Sequence, residues 1–118
     1  MTTVQKAKTK QLGQVRPSDT TPIELYSPTN RDRCVVQNII ICNTTGSSAT
    51  YRIFVDEDGT TVDQTTAIAY DIALAANTTD TWEIILYMND PAGRLSVATG
   101  TGDALTFTAN GEDGSIAY

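Results

Sequence analysis

Histidine is absent from the chain, so Ser-His-Asp and Cys-His nucleophile arrangements, His-bearing zinc sites and imidazole bases are all excluded. The remaining groups able to do acid-base work are carboxylates. Asp56, Asp58, Asp71 and Glu83 are candidates for the paired carboxylates of glycoside hydrolysis, which stand roughly 5 to 9 Å apart. They fall on expected turns or outward strand positions, and no apolar pocket is implied that would hold one of them protonated. The acidic run Asp56-Glu57-Asp58-Gly59 offers oxygens to a hard cation, but the EF-hand spacing with its closing Glu is missing, and Asp-Gly after an alternating segment is a hairpin signal. Gly100-Thr101-Gly102 lacks the third glycine and following helix of a dinucleotide loop and the Gly-Lys-Ser/Thr of a phosphate loop. Asn43-Thr44-Thr45 and Asn77-Thr78-Thr79 match the glycosylation sequon, and without a secretory signal they read as turns. The expectation is a protein that is not an enzyme, with no catalytic residue, no cofactor and no metal.

Cys34 and Cys42 lie eight residues apart in one apolar run, about 26 Å if that run is a strand. They cannot pair within it, and reduced thiols in a reducing compartment are expected. Residues 1–16 hold Lys6, Lys8, Lys10 and Arg16 and no acid, a charge of +4. The rest of the chain holds four basic and fourteen acidic residues, −10, for a net charge of −6. So acidic a body repels phosphate backbones, which argues against nucleic-acid binding. The first fourteen residues lack an apolar stretch, and nothing approaches the roughly 20 apolar residues of a membrane span. Synthesis in a cytoplasm and no membrane partner are expected.

At 118 residues the chain has room for one core. Turn clusters at residues 27–30, 43–48, 56–59, 77–80, 89–93, 100–103 and 110–114 separate segments too short for most helices. Strands are predicted over 22–26, 33–42, 49–55, 68–74, 81–87, 94–98, 104–109 and 115–118, with a short helical turn allowed at 62–66. The fold class is therefore all-β, a single antiparallel β-sandwich, immunoglobulin-like or jelly-roll, spanning 17–118 behind a basic extended N-terminal arm, 1–16.

Alternation assigns the faces. Tyr51, Ile53 and Val55, then Ile68, Tyr70, Ile72 and Leu74, then Trp82, Ile84 and Leu86, Leu95 and Val97, and Leu105 and Phe107 point inward. The segment 34–42 is apolar on both parities, as in a strand covered on both faces or one that changes face at a bulge near Gln37 and Asn38, with Val35, Ile39 and Ile41 inward. Phe54, Ile85, Tyr87 and Met88 are assigned outward, either as scattered exposed residues or as a partner-binding patch. Lys6, Lys8, Lys10 and Arg16 are either a solvated tail or a partner-binding arm that docks on an acidic neighbour.

Leu12-Gly13-Gln14 with Pro17, Leu25-Tyr26, Arg33-Cys34-Val35-Val36 leading to Ile39, Ile41, Cys42 and Asn43, and Ala49-Thr50-Tyr51-Arg52-Ile53 form one series of landmarks. Ala69-Tyr70-Asp71, Ala75-Ala76-Asn77-Thr78-Thr79 and Leu105-Thr106-Phe107-Thr108-Ala109-Asn110-Gly111 continue it. In this order they make the chain, over nearly its whole length, resemble a family of small tailed-phage virion proteins built as single β-sandwiches. Such proteins commonly carry Val-Pro-Ala-Gly after the Leu-Tyr pair, where this chain has Ser27-Pro28-Thr29-Asn30-Arg31-Asp32. The resemblance implies a structural role in the virion, most specifically a capsid decoration or cement protein, with the alternative of a tail-associated structural or carbohydrate-binding module. It implies the major capsid protein or other virion proteins as partners, homo-oligomers on the particle, and the virion as location.

Overall fold

The computed structural model describes residues 8–28, 33–88 and 90–114. Among the described residues, eight strands fold into two four-stranded antiparallel sheets: β1 (Lys8–Val15), β2 (Ile23–Tyr26), β3 (Arg33–Asn43), β4 (Ala49–Asp56), β5 (Ala67–Leu74), β6 (Thr79–Tyr87), β7 (Arg94–Thr99) and β8 (Leu105–Gly114). The first sheet has the order β1-β8-β3-β6 and the second β2-β7-β4-β5. Every connection except β4 to β5 crosses from one sheet to the other. That eight-stranded, two-sheet arrangement is a jelly roll, one of the two sandwiches the turn spacing allowed.

The core forms where the inward rows of the two sheets meet. Ile39, Ile41, Leu105, Phe107 and Ala109 of the first sheet close on Tyr51, Ile53, Leu95 and Val97 of the second. The Tyr51 and Phe107 rings meet edge to face at 6.3 Å. In β3 the register slips between Val36 and Asn38, and the inward row changes there from Cys34 and Val36 to Ile39 and Ile41. Of the two expected alternatives, the bulge is the one present. It reverses the expected role of Val35, which is buried but on the outer parity, opposite Tyr87 and Glu112.

Strand β5 departs from its expected facing. Asp71 adopts φ 54°, a left-handed conformation that breaks the alternation, and Ala69 and Leu74 become its buried residues. Ile68, Tyr70 and Ile72, expected in the core, are each more than a third exposed. The Asn110-Gly111 turn signal is also overridden, because β8 runs on to Gly114. A Cβ on Gly111 would overlap the Val35 carbonyl oxygen, so the glycine serves close strand contact.

The segment assigned to a basic arm is divided. Residues 1–7 lie outside the described residues, and 8–15 form β1, paired with β8 from Lys8 opposite Asp113 to Val15 opposite Phe107. A ladder is bonded through backbone groups, so polar side chains do not keep a segment out of it at an edge. The predicted strand 115–118 also lies outside the described residues. The helical turn appears as a 3₁₀ turn at Gln64–Thr66, capped by Asp63. No disulfide joins Cys34, which is buried, and Cys42, half-buried near the other end of β3.

Candidate interaction surfaces

Strand β6 is the outer edge of the first sheet, and its side chains alternate between half-buried and exposed along its whole length. Trp82, Ile84 and Leu86 pack on the core, while Ile85 and Tyr87 stand outward, 64% and 74% exposed. Two of the four residues assigned to the apolar patch are therefore on the surface. Met88 is a correction: it continues the even row of Trp82, Ile84 and Leu86, is buried in the core, and its N–H donates to the Cys34 carbonyl at 2.8 Å. Phe54 is the other. It lies opposite Ser96 and outside the core cluster, as its parity requires, but is only 2% exposed. The long β4–β5 connection returns beside it: the 3₁₀ turn lies against β4, and Ala67, next in sequence, pairs with Phe54.

Tyr87 also borders an open cleft of about 490 Å³ shared with Val55, Asp56, Glu57, Met88, Asp90 and Gly93. A shallower groove beside the bulge joins Gln37, Asn38, Glu83 and Ile85.

The basic residues lie at the opposite edge of the same sheet. Lys6 falls outside the described residues, Lys8 and Lys10 are on β1, and Lys10 is exposed opposite Gly111. Arg16, just past β1, is held within the chain, donating to the Asp103 carbonyl and at 3.2 Å to the Thr106 hydroxyl. The structure thus separates the predicted basic and apolar elements by the width of a sheet.

The acidic groups serve local architecture. One Asp56 oxygen accepts the Thr61 N–H at 2.6 Å, and Asp58 accepts the N–H and hydroxyl of Thr60, the bonds that hold its carboxyl below the usual range. Asp71 is held low by Arg52, whose Nε donates to it at 2.6 Å while the guanidinium lies 4.0 Å over the Tyr70 ring. Among the described residues no group of three or more Asp, Glu or Cys side chains is placed to hold a metal ion. The Asn43 side chain is buried, donating to the carbonyls of Ser47 and Leu74 at 2.9 and 3.1 Å and accepting from Thr45, which makes this sequon a loop fastener.

Sequence reasoning missed two inter-sheet bridges. Tyr26 of β2 donates to Asp113 of β8 at 2.7 Å, both side chains buried; burial, then the Asp113 bond and the nearby Cys34, push the Tyr26 hydroxyl far above its ordinary value. Tyr51 of β4 donates to Asp80 of β6 at 2.8 Å and accepts the Trp82 indole N–H at 2.8 Å. Burial raises its pKa, the Trp82 donor opposes and Asp80 adds to the rise. Parity held a signal for Asp113, which continues the inward row Leu105, Phe107, Ala109 and Gly111.

These features define an all-β jelly roll with a partly apolar strand at one edge of a sheet. No family model matches the sequence, and no curated protein matches it. Among solved structures it is similar to a chain in the crystal structure of the T13 IBDV viral particle, with a TM-score of 0.51 and 16% identity. The match covers 92% of this chain and 30% of the viral one, and at that identity it shows the fold alone. No helix among the described residues is long and apolar enough to cross a membrane.

Proposed function

We propose that the chain is a non-enzymatic structural protein of a virion, and specifically a capsid decoration protein of a tailed phage. The observation that carries this reading is the jelly-roll strand order, together with its likeness, over almost the whole chain, to part of a chain from a viral particle. The charge split supports attachment through the basic N-terminal residues, and Ile85 and Tyr87 supply an apolar contact of the kind that carries energy between chains. The partner is the major capsid protein or another shell protein, and many copies bind because shell symmetry repeats one modest contact.

Quantitative mass spectrometry of purified particles from the host that makes the chain tests this directly. Peptides of the chain are expected in stoichiometric ratio to the shell protein, and their absence from particles removes the reading. Deleting residues 1–7, which end before β1, should leave melting unchanged while lowering the bound copies per particle.

One observation favours a second reading, a tail-associated carbohydrate-binding module. Tyr87 lines one cleft together with Asp56, Glu57 and Asp90, an aromatic ring and hydrogen-bond acceptors of the kind that would meet a sugar. Binding on a glycan array that disappears in Tyr87→Ala would move the assignment to this reading.

A further inference from the structure

An edge strand presents unpaired N–H and C=O groups to any passing strand, and folded proteins guard their edges with lysines, bulges or shortness. Three of the four edges here carry such a guard. β1 has the exposed Lys10 and a slip between Gln11 and Gly13, β2 is four residues long, and β5 is interrupted by the left-handed Asp71 and by two slips against β4. β6 is nine residues long, holds no Lys, Arg or Pro, and alternates its faces without a break. Its ladder to β3 slips between Glu83 and Leu86, on the side away from the edge. Among the described residues no strand lies beyond it.

The same flank collects apolar side chains and acid. Tyr51 bonds to Asp80 and Trp82 of β6 while its ladder partner is Ile72 of β5, so the two edges lie side by side. Among the described residues, the large apolar side chains that stand more than a third exposed are Val62, Ile68, Tyr70, Ile72, Ile85 and Tyr87. All of them are on β5, on β6 or in the connection into β5. Such a concentration of exposed apolar surface marks a contact site. Between Arg52 and Arg94 the sequence holds eight acids and no base. Asp71 is engaged with Arg52 and Asp80 with Tyr51, and Glu83 is the one charge that β6 turns outward.

We propose that β6 is the docking edge for an extended segment of another protein, apolar on one face and basic on the other, which adds a fifth strand to the first sheet. Backbone bonds to the edge hold such a segment, and its alternate side chains select it. A strand placed about 4.8 Å beyond β6 turns one row of side chains onto the half-buried Trp82, Ile84 and Leu86 and toward Ile72. That row is apolar. The other row lies beside Glu83, Ile85 and Tyr87, where Lys or Arg fits, because its head pairs with the carboxylate while its stem covers the apolar and aromatic neighbours. The acids of this flank disfavour an acidic segment. The choice of strand goes beyond the virion reading and does not rest on it, so failure of either leaves the other standing.

The probes are two capped peptides as long as β6, one alternating valine and lysine and the other valine and glutamate, added to the full chain at low ionic strength. The lysine peptide is expected to bind and to slow hydrogen exchange of the edge amides in Thr79–Tyr87 about tenfold or more, leaving Lys8–Val15 unchanged. The glutamate peptide is expected to leave both strands unchanged. Glu83→Lys, at an exposed position, should melt as the wild type does and bind the lysine peptide about tenfold more weakly. A lysine peptide that does not bind, or equal binding by the two peptides, overturns the proposal. So does protection that falls elsewhere and spares Thr79–Tyr87, or an unaltered affinity in Glu83→Lys.

Discussion

The two flanks of the sandwich are closed in different ways. On one, β1 and β2 press together so tightly that a Cβ on Gly13 would overlap the Leu25 carbonyl oxygen, and the Tyr26–Asp113 bridge is buried beside them. On the other, β5 and β6 leave Ile72 37% exposed and Trp82, Ile84 and Leu86 half-buried, with Tyr51, Asp80 and Trp82 forming the bridge. Each flank uses a tyrosine of the second sheet and an aspartate of the first. What differs is water: Asp113 is 7% exposed, whereas Asp80 and Trp82, the hydrogen-bond partners of Tyr51, are half-buried. The same pair of residue types therefore seals one flank and leaves the other partly open to solvent.

The largest break in this contrast comes from Gly13→Val, which forces β1 away from β2. A loss of about 3 kcal/mol is expected in denaturant unfolding. A loss under about 1 kcal/mol would mean that the flank is not sealed there.

Tyr26→Phe follows at about 2 kcal/mol, because it removes a donor from a buried carboxylate. Tyr51→Phe should lose only about 1 kcal/mol, because Asp80 and the Trp82 N–H can turn to water. Equal losses would erase the distinction between a dry and a wet bridge.

Alkaline titration sharpens the same contrast. Both tyrosines have folded pKa values raised above the unfolded value of about 10. Their contribution is fully present below that pH and falls as pH rises from there toward the raised values, since the unfolded chain ionises first. Unfolding free energy measured across that window should fall less steeply in Tyr26→Phe than in the wild type. The smallest effect is at the open flank, where Tyr87→Asp should stay within about 0.5 kcal/mol of wild-type stability. A larger loss would show that Tyr87 supports the fold.

Much of the fold is legible in single segments. Alternation in Tyr51-Arg52-Ile53, Trp82-Glu83-Ile84 and Leu105-Thr106-Phe107 gives strand type and inward face, because side chains on a pleated strand point alternately. The double-sided run 34–42 leaves a strand covered on both faces and a bulge as alternatives, and the register slip decides for the bulge. The candidate surface is less legible. Ile85 and Tyr87 follow from parity, and Met88 belonged by the same parity to the core. Phe54 does not follow, because the β4–β5 connection that returns beside it is not part of the alternation in its own strand. β1 escaped notice because its hydrogen bonds come from the backbone and its side chains carry no apolar alternation.

By itself the sequence determines an all-β sandwich, its turns, most of its inward rows and the division between a basic start and an acidic body, since all of these depend on near neighbours along the chain. The tertiary structure alone decides that the sheets are joined as a jelly roll, that Lys8 to Val15 closes an edge, and that Asp71 turns Tyr70 out to meet Arg52. It also decides that Tyr26 and Tyr51 find aspartates 87 and 29 residues away. Those outcomes depend on which strands become neighbours, and pairing between distant segments is settled by the packing of the whole core rather than by any local pattern.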